Sequence, residues 1–259
     1  MAAASHATRL RERLKGGPPL VGTFVKLPAL ESIDLVRSLS FDLACIDGEH
    51  SQLDEHAILA LLRHGAALDL PMLVRTSSRD AGSLNRMLEA GASGIQLSTL
   101  RACAERDALV SATRYAPDGT RSVSLAHPAA DYSGIPLVQY LEQSKQFPLL
   151  VGQIETAATL DPLPEVMRGL DAAFIGTTDL SVDLGRPGML DDPRFTGRVA
   201  EIAAAASRAD IALGAWVPSV DALAKLGDAH LQYVLIGSDL QALRAGLGMV
   251  ASAARKALA

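Results

Sequence analysis

The feature that most constrains this chain is an alternation repeated eight times, a short aliphatic run followed by a longer stretch with apolar residues at helical spacing. The short runs occupy residues 21–26, 43–47, 72–75, 94–97, 149–155, 172–176, 211–217 and 232–237. The amphipathic stretches occupy 31–39, 54–67, 80–89, 101–113, 158–168, 193–208, 220–226 and 239–258. Runs that are apolar at nearly every position, with polar residues held back to the last one or two, suit parallel strands covered by helices. Eight such units predict an α/β chain closed into a (β/α)8 TIM barrel, with an open doubly wound sheet as the alternative. No Pro/Gly/Ser-rich linker divides the 259 residues, so one barrel domain over 1–259 is expected. The one long irregular stretch, 115–148, carries Pro117, Gly119, Pro128, Gly134 and Pro136. Its length points to a functional or interfacial loop, or to a plain cover for the barrel mouth.

A chain that is 49% hydrophobic and 20% charged, with a formal charge of -5, suggests neither disorder nor a nucleic-acid footprint. Small-molecule partners are expected. The N-terminal segment is polar and basic, without the apolar core of a signal peptide. No later run approaches the ~20 apolar residues of a membrane span, so a soluble cytoplasmic protein is the expectation. Cys45 and Cys103 lie far apart inside apolar periodic segments and read as packing.

In such a barrel, polar residues at the carboxyl ends of the strands share one mouth. The second run ends in Asp47-Gly48-Glu49-His50, the third in Arg75, the fifth in Gln153-Ile154-Glu155 and the sixth in Gly176-Thr177-Thr178-Asp179. Each alone has an ordinary structural reading: Asp47-Gly48 as a turn, Arg75 as an ion-pair partner, Asp179 as a helix cap. Together they bring carboxylates, an imidazole, a guanidinium and an amide to one opening. Adjacent strands lie about 4.8 Å apart, so Glu155 and Asp179 can converge. Two such carboxylates repel, and a hard cation relieves the repulsion while leaving coordination positions for water and a substrate; a 2-oxo acid could fill two of them with its carboxylate and keto oxygens. That cation then serves as a Lewis acid for an enolate. The rival way to stabilise such an enolate is a Schiff base on a desolvated lysine, and only Lys26 of the five lysines ends a strand.

On these residues the chain resembles the HpcH/HpaI aldolases, the metal-dependent class II 2-oxo-acid aldolases. The likeness runs through Gly22-Thr23-Phe24-Val25-Lys26, Ile46-Asp47-Gly48-Glu49-His50, Val74-Arg75, Leu88-Glu89-Ala90-Gly91-Ala92 and Ser111-Ala112-Thr113-Arg114-Tyr115. It continues through Gln153-Ile154-Glu155, Phe174-Ile175-Gly176 and Asp179-Leu180. The resemblance implies a lyase that reversibly cleaves 4-hydroxy-2-oxo acids to pyruvate, or a close 2-oxo acid, and an aldehyde. Its implied metal ligands are Glu155 and Asp179, holding Mg2+, Mn2+ or Co2+. His50 is the implied catalytic histidine, Arg75 the enolate-stabilising arginine and Gln153 the glutamine beside metal and pyruvate. Asp47 is implied to order the site, and Gly176 to lie against the bound 2-oxo acid. The family's hexamers exchange a C-terminal helix, so the resemblance implies a homo-oligomer.

The departures bear on the pocket. Thr177-Thr178 stand where Pro-Ala is usual, placing two hydroxyls beside a metal ligand as candidate substrate contacts. Glu89 stands where the family has the aspartate that supports the histidine. Ser98 replaces a proline, and the loop arginine expected near Ala129 is missing although Arg121 remains. Short neutral, hydroxylated aldehydes are therefore expected to serve at least as well as acidic ones. Two rival functions share the same residues: decarboxylation of oxaloacetate through the same enolate, and a barrel that binds 2-oxo acids without catalysis.

Overall fold

The computed structural model describes residues 2–227 and 229–259. Its strands β1 (Leu20–Val25), β2 (Leu43–Asp47), β3 (Met72–Thr76), β4 (Gly94–Leu97), β5 (Leu149–Ile154), β6 (Ala172–Ile175), β7 (Ala212–Val217) and β8 (Tyr233–Ser238) pair in parallel in chain order. β8 returns to β1 and closes the barrel. The expected (β/α)8 barrel is the fold observed. Strands such as β2 and β5 are buried at every position, because one face meets the barrel interior and the other the helical layer. The interior is tightly filled. Phe174 and Tyr233 pack with ring centroids 5.0 Å apart, and a Cβ on Gly214 would lie 2.6 Å from the Tyr233 ring. Glycine makes room there for two large aromatics.

The helices are α1 (Ala2–Gly16), α2 (Leu30–Ser38), α3 (Glu55–Ala67), α4 (Ala81–Ala90), α5 (Cys103–Thr113), α6 (Leu137–Gln143), α7 (Leu163–Met167), α8 (Thr177–Asp183), α9 (Pro193–Arg208) and α10 (Asp239–Leu258). Short 3-10 segments cover Pro128–Ser133 and Val220–Leu226. Side chains of Asp54, Asp80, Asp192 and Ser238 cap α3, α4, α9 and α10 by accepting from backbone N–H groups two or three residues on. α4 ends at Gly91, whose φ of 121° suits a residue without a side chain.

Several elements differ from the periodicity. The amphipathic reading of 158–168 contracts to α7, preceded by Pro162, and 220–226 winds as 3-10 rather than α-helix. α1 was not among the expected helices. It buries Ala3, Ala7, Leu10 and Leu14, a stripe at spacings of four, three and four residues that lies beneath a polar, basic exterior. Arg13 pairs with Asp42, ahead of β2. Arg11 pairs with Asp171, ahead of β6, at 2.5 Å. α1 therefore closes the floor of the barrel, at the amino ends of the strands. The irregular stretch after α5 folds over its own small core of Ala130, Ile135 and Tyr140. α10 has no buried residue.

Candidate active site

β2 and β3 supply the first half of the site. Asp47 and Arg75 are register partners at their strand ends. Arg75 Nε donates to Asp47 Oδ1 at 3.0 Å and Nη2 to Oδ2 at 2.6 Å. The backbone N–H groups of Glu49 and His50 donate to Oδ1 at 3.2 and 3.0 Å, and Lys26 Nζ lies 2.7 Å from Oδ2. Burial opposes the charge on Asp47, but Arg75, Lys26 and the His50 amide outweigh it and hold the carboxyl well below the usual range. Arg75 also stands over the Phe24 ring, its Cζ 4.2 Å from the centroid. The guanidinium is fixed before any substrate arrives.

β5 supplies the second half through a chain of buried polar groups. Tyr233 Oη donates to Gln96 Oε1 at 3.2 Å, Gln96 Nε2 donates to Gln153 Oε1 at 2.7 Å, and Gln153 Nε2 donates to Glu155 Oε2. The other oxygen of Glu155 accepts from Thr99 N at 2.8 Å and Thr99 Oγ1 at 2.6 Å. Thr99 has a φ of 49°, unusual for a β-branched residue. In that conformation its amide and hydroxyl meet the same oxygen. A Cβ on Gly176 would fall 2.3 Å from Glu155 Oε2, so only glycine allows the carboxylate its present place. Burial raises the Glu155 carboxyl above the usual range despite its donors, and the charges of Asp179 and Glu49 add to the rise.

Asp179, exposed in the first turn of α8, stands where two clefts meet. The larger, about 450 Å³, is lined by Lys26, His50, Arg75, Gln153, Gly176 and Asp179, with Trp216, Ser238 and Gln241 also on its wall. The smaller, about 330 Å³, contains Glu49, Thr99 and Glu155 and shares His50 and Asp179 with the first. Glu49 Oε1 accepts the Ser98 hydroxyl at 2.7 Å, while Oε2 is buried without a hydrogen-bond partner. That orphaned oxygen lies 3.7 Å from Arg75 Nε and 3.8 Å from His50 Nε2.

Among the described residues no three His, Cys, Asp or Glu side chains form a ready-made metal cage. The donors present are hard, anionic oxygens: Glu155 and Asp179, with the unpartnered Glu49 oxygen in the same cleft. They fit a divalent cation that takes its remaining ligands from substrate and water.

Residues 20–245 match the profile of the HpcH/HpaI aldolase/citrate lyase family. The chain belongs to that family. It is 28% identical over 245 residues to the 4-hydroxy-2-oxo-heptane-1,7-dioate aldolase of Klebsiella pneumoniae, covering 93% of this chain and 92% of that one. It is 30% identical over 191 residues to a pyruvate aldolase of Rhizobium etli, covering 73% and 74% of the two chains. A solved HpcH/HpaI aldolase/citrate lyase family protein from Burkholderia cenocepacia superposes with a TM-score of 0.86 at 26% identity, over 95% of this chain and 99% of that one.

Most residues expected from the HpcH/HpaI resemblance meet in the mouth: Asp47, His50, Arg75, Gln153, Glu155, Gly176, Thr177, Thr178 and Asp179 all line or support the two clefts. The two threonines differ, since Thr177 is buried and donates Oγ1 to Trp216 O at 2.8 Å, whereas Thr178 is exposed. Glu89 is not joined to His50 within the chain. It lies on α4, outside the barrel, where it accepts from Asn85 Nδ2 at 3.2 Å and approaches His127 Nε2 at 3.9 Å. Arg121 is also away from the mouth, donating from Nε to Asn85 Oδ1 at 2.7 Å with its Cζ 4.6 Å from the Tyr115 ring centroid.

Sequence reasoning missed Gln96, Thr99, Tyr233 and Trp216. Gln96 carried a usable signal, a lone amide inside the apolar run Gly94-Ile95-Gln96-Leu97. Thr99 carried none, because its role depends on backbone conformation.

Proposed function

We propose that this protein is a divalent-metal-dependent aldolase that reversibly cleaves 4-hydroxy-2-oxo acids to pyruvate, or a close 2-oxo acid, and an aldehyde. The observation that carries this reading is the pairing of two half-sites. Glu155 and Asp179 share a cleft that adjoins the cavity lined by Arg75, Gln153 and Gly176. The names of the Klebsiella and Rhizobium relatives support the same reaction class.

A cation held by Glu155 and Asp179 would supply Lewis acidity towards a 2-oxo acid. The chain's own groups account for the rest. In cleavage, the C4 hydroxyl gives up its proton, the C3–C4 bond breaks to release the aldehyde, and the bonding pair passes into the 2-oxo acid half. His50, open to both clefts, takes that proton. Arg75 offsets the negative charge that develops; held by Asp47 beforehand, it loses little to reorganisation. Gln153, its amide orientation set by Gln96, has a second N–H to give to the carboxylate or keto oxygen. A proton delivered to C3, matching the one His50 took from the C4 hydroxyl, completes pyruvate and leaves the reaction proton-neutral. Synthesis reverses the order.

The acceptor end of the larger cavity is lined by Trp216, Ser238, Leu240 and Gln241, while Lys26 is committed to Asp47 and the His50 carbonyl. Such a wall suits a short neutral aldehyde with hydroxyl groups, such as glycolaldehyde or glyceraldehyde. For assembly, the same reading places α10 against another copy, as in a hexamer. The helix exposes Leu240, Leu243, Leu247 and Val250.

The test is pyruvate release from a panel of 4-hydroxy-2-oxo acids and from oxaloacetate, with and without added Mg2+, Mn2+ or Co2+. Metal-dependent release from hydroxy acids is expected, fastest where the aldehyde formed is neutral. Release from oxaloacetate alone would make the protein a decarboxylase, and no turnover with measurable binding would make it a non-catalytic barrel.

A further inference from the structure

Lys26 follows β1, which lies across the closed barrel from β5. Its backbone N–H donates to both carboxylate oxygens of Asp239, at 3.0 and 3.2 Å, and Leu27 N donates to the same group at 3.1 Å. The base of the side chain is thus tied to the start of α10. The ammonium reaches the other way, lying 2.7 Å from Asp47 Oδ2 and donating to the carbonyl oxygen of His50 at 3.1 Å.

Residues 48–51 form neither strand nor helix. The His50 side chain is 57% exposed, and the charged contact it makes among the described residues, to Glu49 Oε2, is 3.8 Å long. What locates the imidazole is therefore its main chain. The His50 N–H goes directly to Asp47 Oδ1, and the His50 carbonyl goes to Lys26, which is itself paired with Asp47. Both polar main-chain groups of His50 close on one ion pair.

We propose that Lys26 is a positioning residue, fixing His50 for proton transfer by holding its carbonyl from β1. The proposal rests on the assignment of His50 to proton transfer given above. It also accounts for a strand-end lysine without a Schiff base: an ammonium committed to a carboxylate and a carbonyl has no free electron pair with which to attack a ketone. Losing the tether leaves Asp47 still bound by Arg75, and the groups around Glu155 are untouched. The penalty should therefore fall on turnover rather than on binding of the 2-oxo acid. Misplacing a reacting group by about 1 Å costs on the order of 100-fold.

The experiment compares the parent, K26M, H50A, H50A/K26M and K26C alkylated with 2-bromoethylamine, which restores an ammonium at similar reach. Parent protein treated with the same reagent serves as the control for Cys45 and Cys103. With Mg2+ and the best 4-hydroxy-2-oxo acid, K26M should lose about 10- to 100-fold in kcat with KM within about threefold. Alkylated K26C should recover most of that loss. In the H50A background, K26M should cost less than about twofold, since the group it positions is gone. Amide hydrogen exchange gives a readout independent of turnover: K26M should speed exchange across 48–51 by about tenfold while β5 and β6 keep their protection.

An equal loss in the H50A background, a loss carried by KM, or unchanged exchange across 48–51 would overturn the tether. So would borohydride trapping of pyruvate on Lys26. Failure of the parent itself to cleave any hydroxy acid would contradict the proposed reaction, while the exchange measurement would still decide the role of Lys26.

Discussion

At the scale of single residues, the site depends on charges placed before substrate binds, and Asp47 is the clearest case. It is buried beneath two cations. Replacing it with asparagine keeps the shape but leaves Arg75 and Lys26 without their counterion, which should cost about 3 kcal/mol. The native carboxyl is depressed, so its contribution is intact above the unfolded-state pKa of about 3.9 and is lost as pH falls through the lower native value. Urea unfolding of parent and D47N should show the full difference at pH 7, narrowing only below about pH 4. A difference under about 0.5 kcal/mol at pH 7, or one that closes above pH 5, would contradict this account. Asp47, Arg75, Gln153 and Glu155 were legible in the sequence because each lies at or next to the carboxyl end of an apolar strand. Thr99 and the Ser98–Glu49 contact were not, since they join loops brought side by side by the closed barrel. Glu89 was assigned to support His50 by resemblance alone, and within one chain it lies on α4 against Asn85 and His127 instead.

At the scale of elements, the strands were the easiest to read, because burial on both faces leaves continuous apolar runs with polar ends. α1 was harder. Its stripe of Ala3, Ala7, Leu10 and Leu14 is half alanine, a weak apolar signal under a basic surface. α8 was hidden because its seven residues also carry the site's Thr177, Thr178 and Asp179. α10 presents the opposite problem, an amphipathic pattern with no face buried in the chain. If its apolar side docks on another copy, L243E/L247E should reduce the particle measured by light scattering from an oligomer to about 27.1 kDa. An unchanged mass would show that these leucines face solvent in the assembled protein.

At the scale of the whole molecule, closure of the barrel makes the site. Lys26 after β1, Asp47 and Arg75 at β2 and β3, and Glu155 after β5 are spread over more than half the chain, yet the closed sheet brings them to one end. That closure was legible from the count of eight units, whereas packing between copies leaves no comparable count. The central claim is that Glu155 and Asp179 hold a cation on which activation of the 2-oxo acid depends. It is tested most directly by proton NMR of pyruvate in deuterated water, following exchange of the methyl protons. Exchange should stop on exhaustive chelation and return with Mg2+, and E155Q should need far more Mg2+ to reach the same rate. Undiminished exchange after chelation, or an E155Q protein with the parent's metal requirement, would contradict the account.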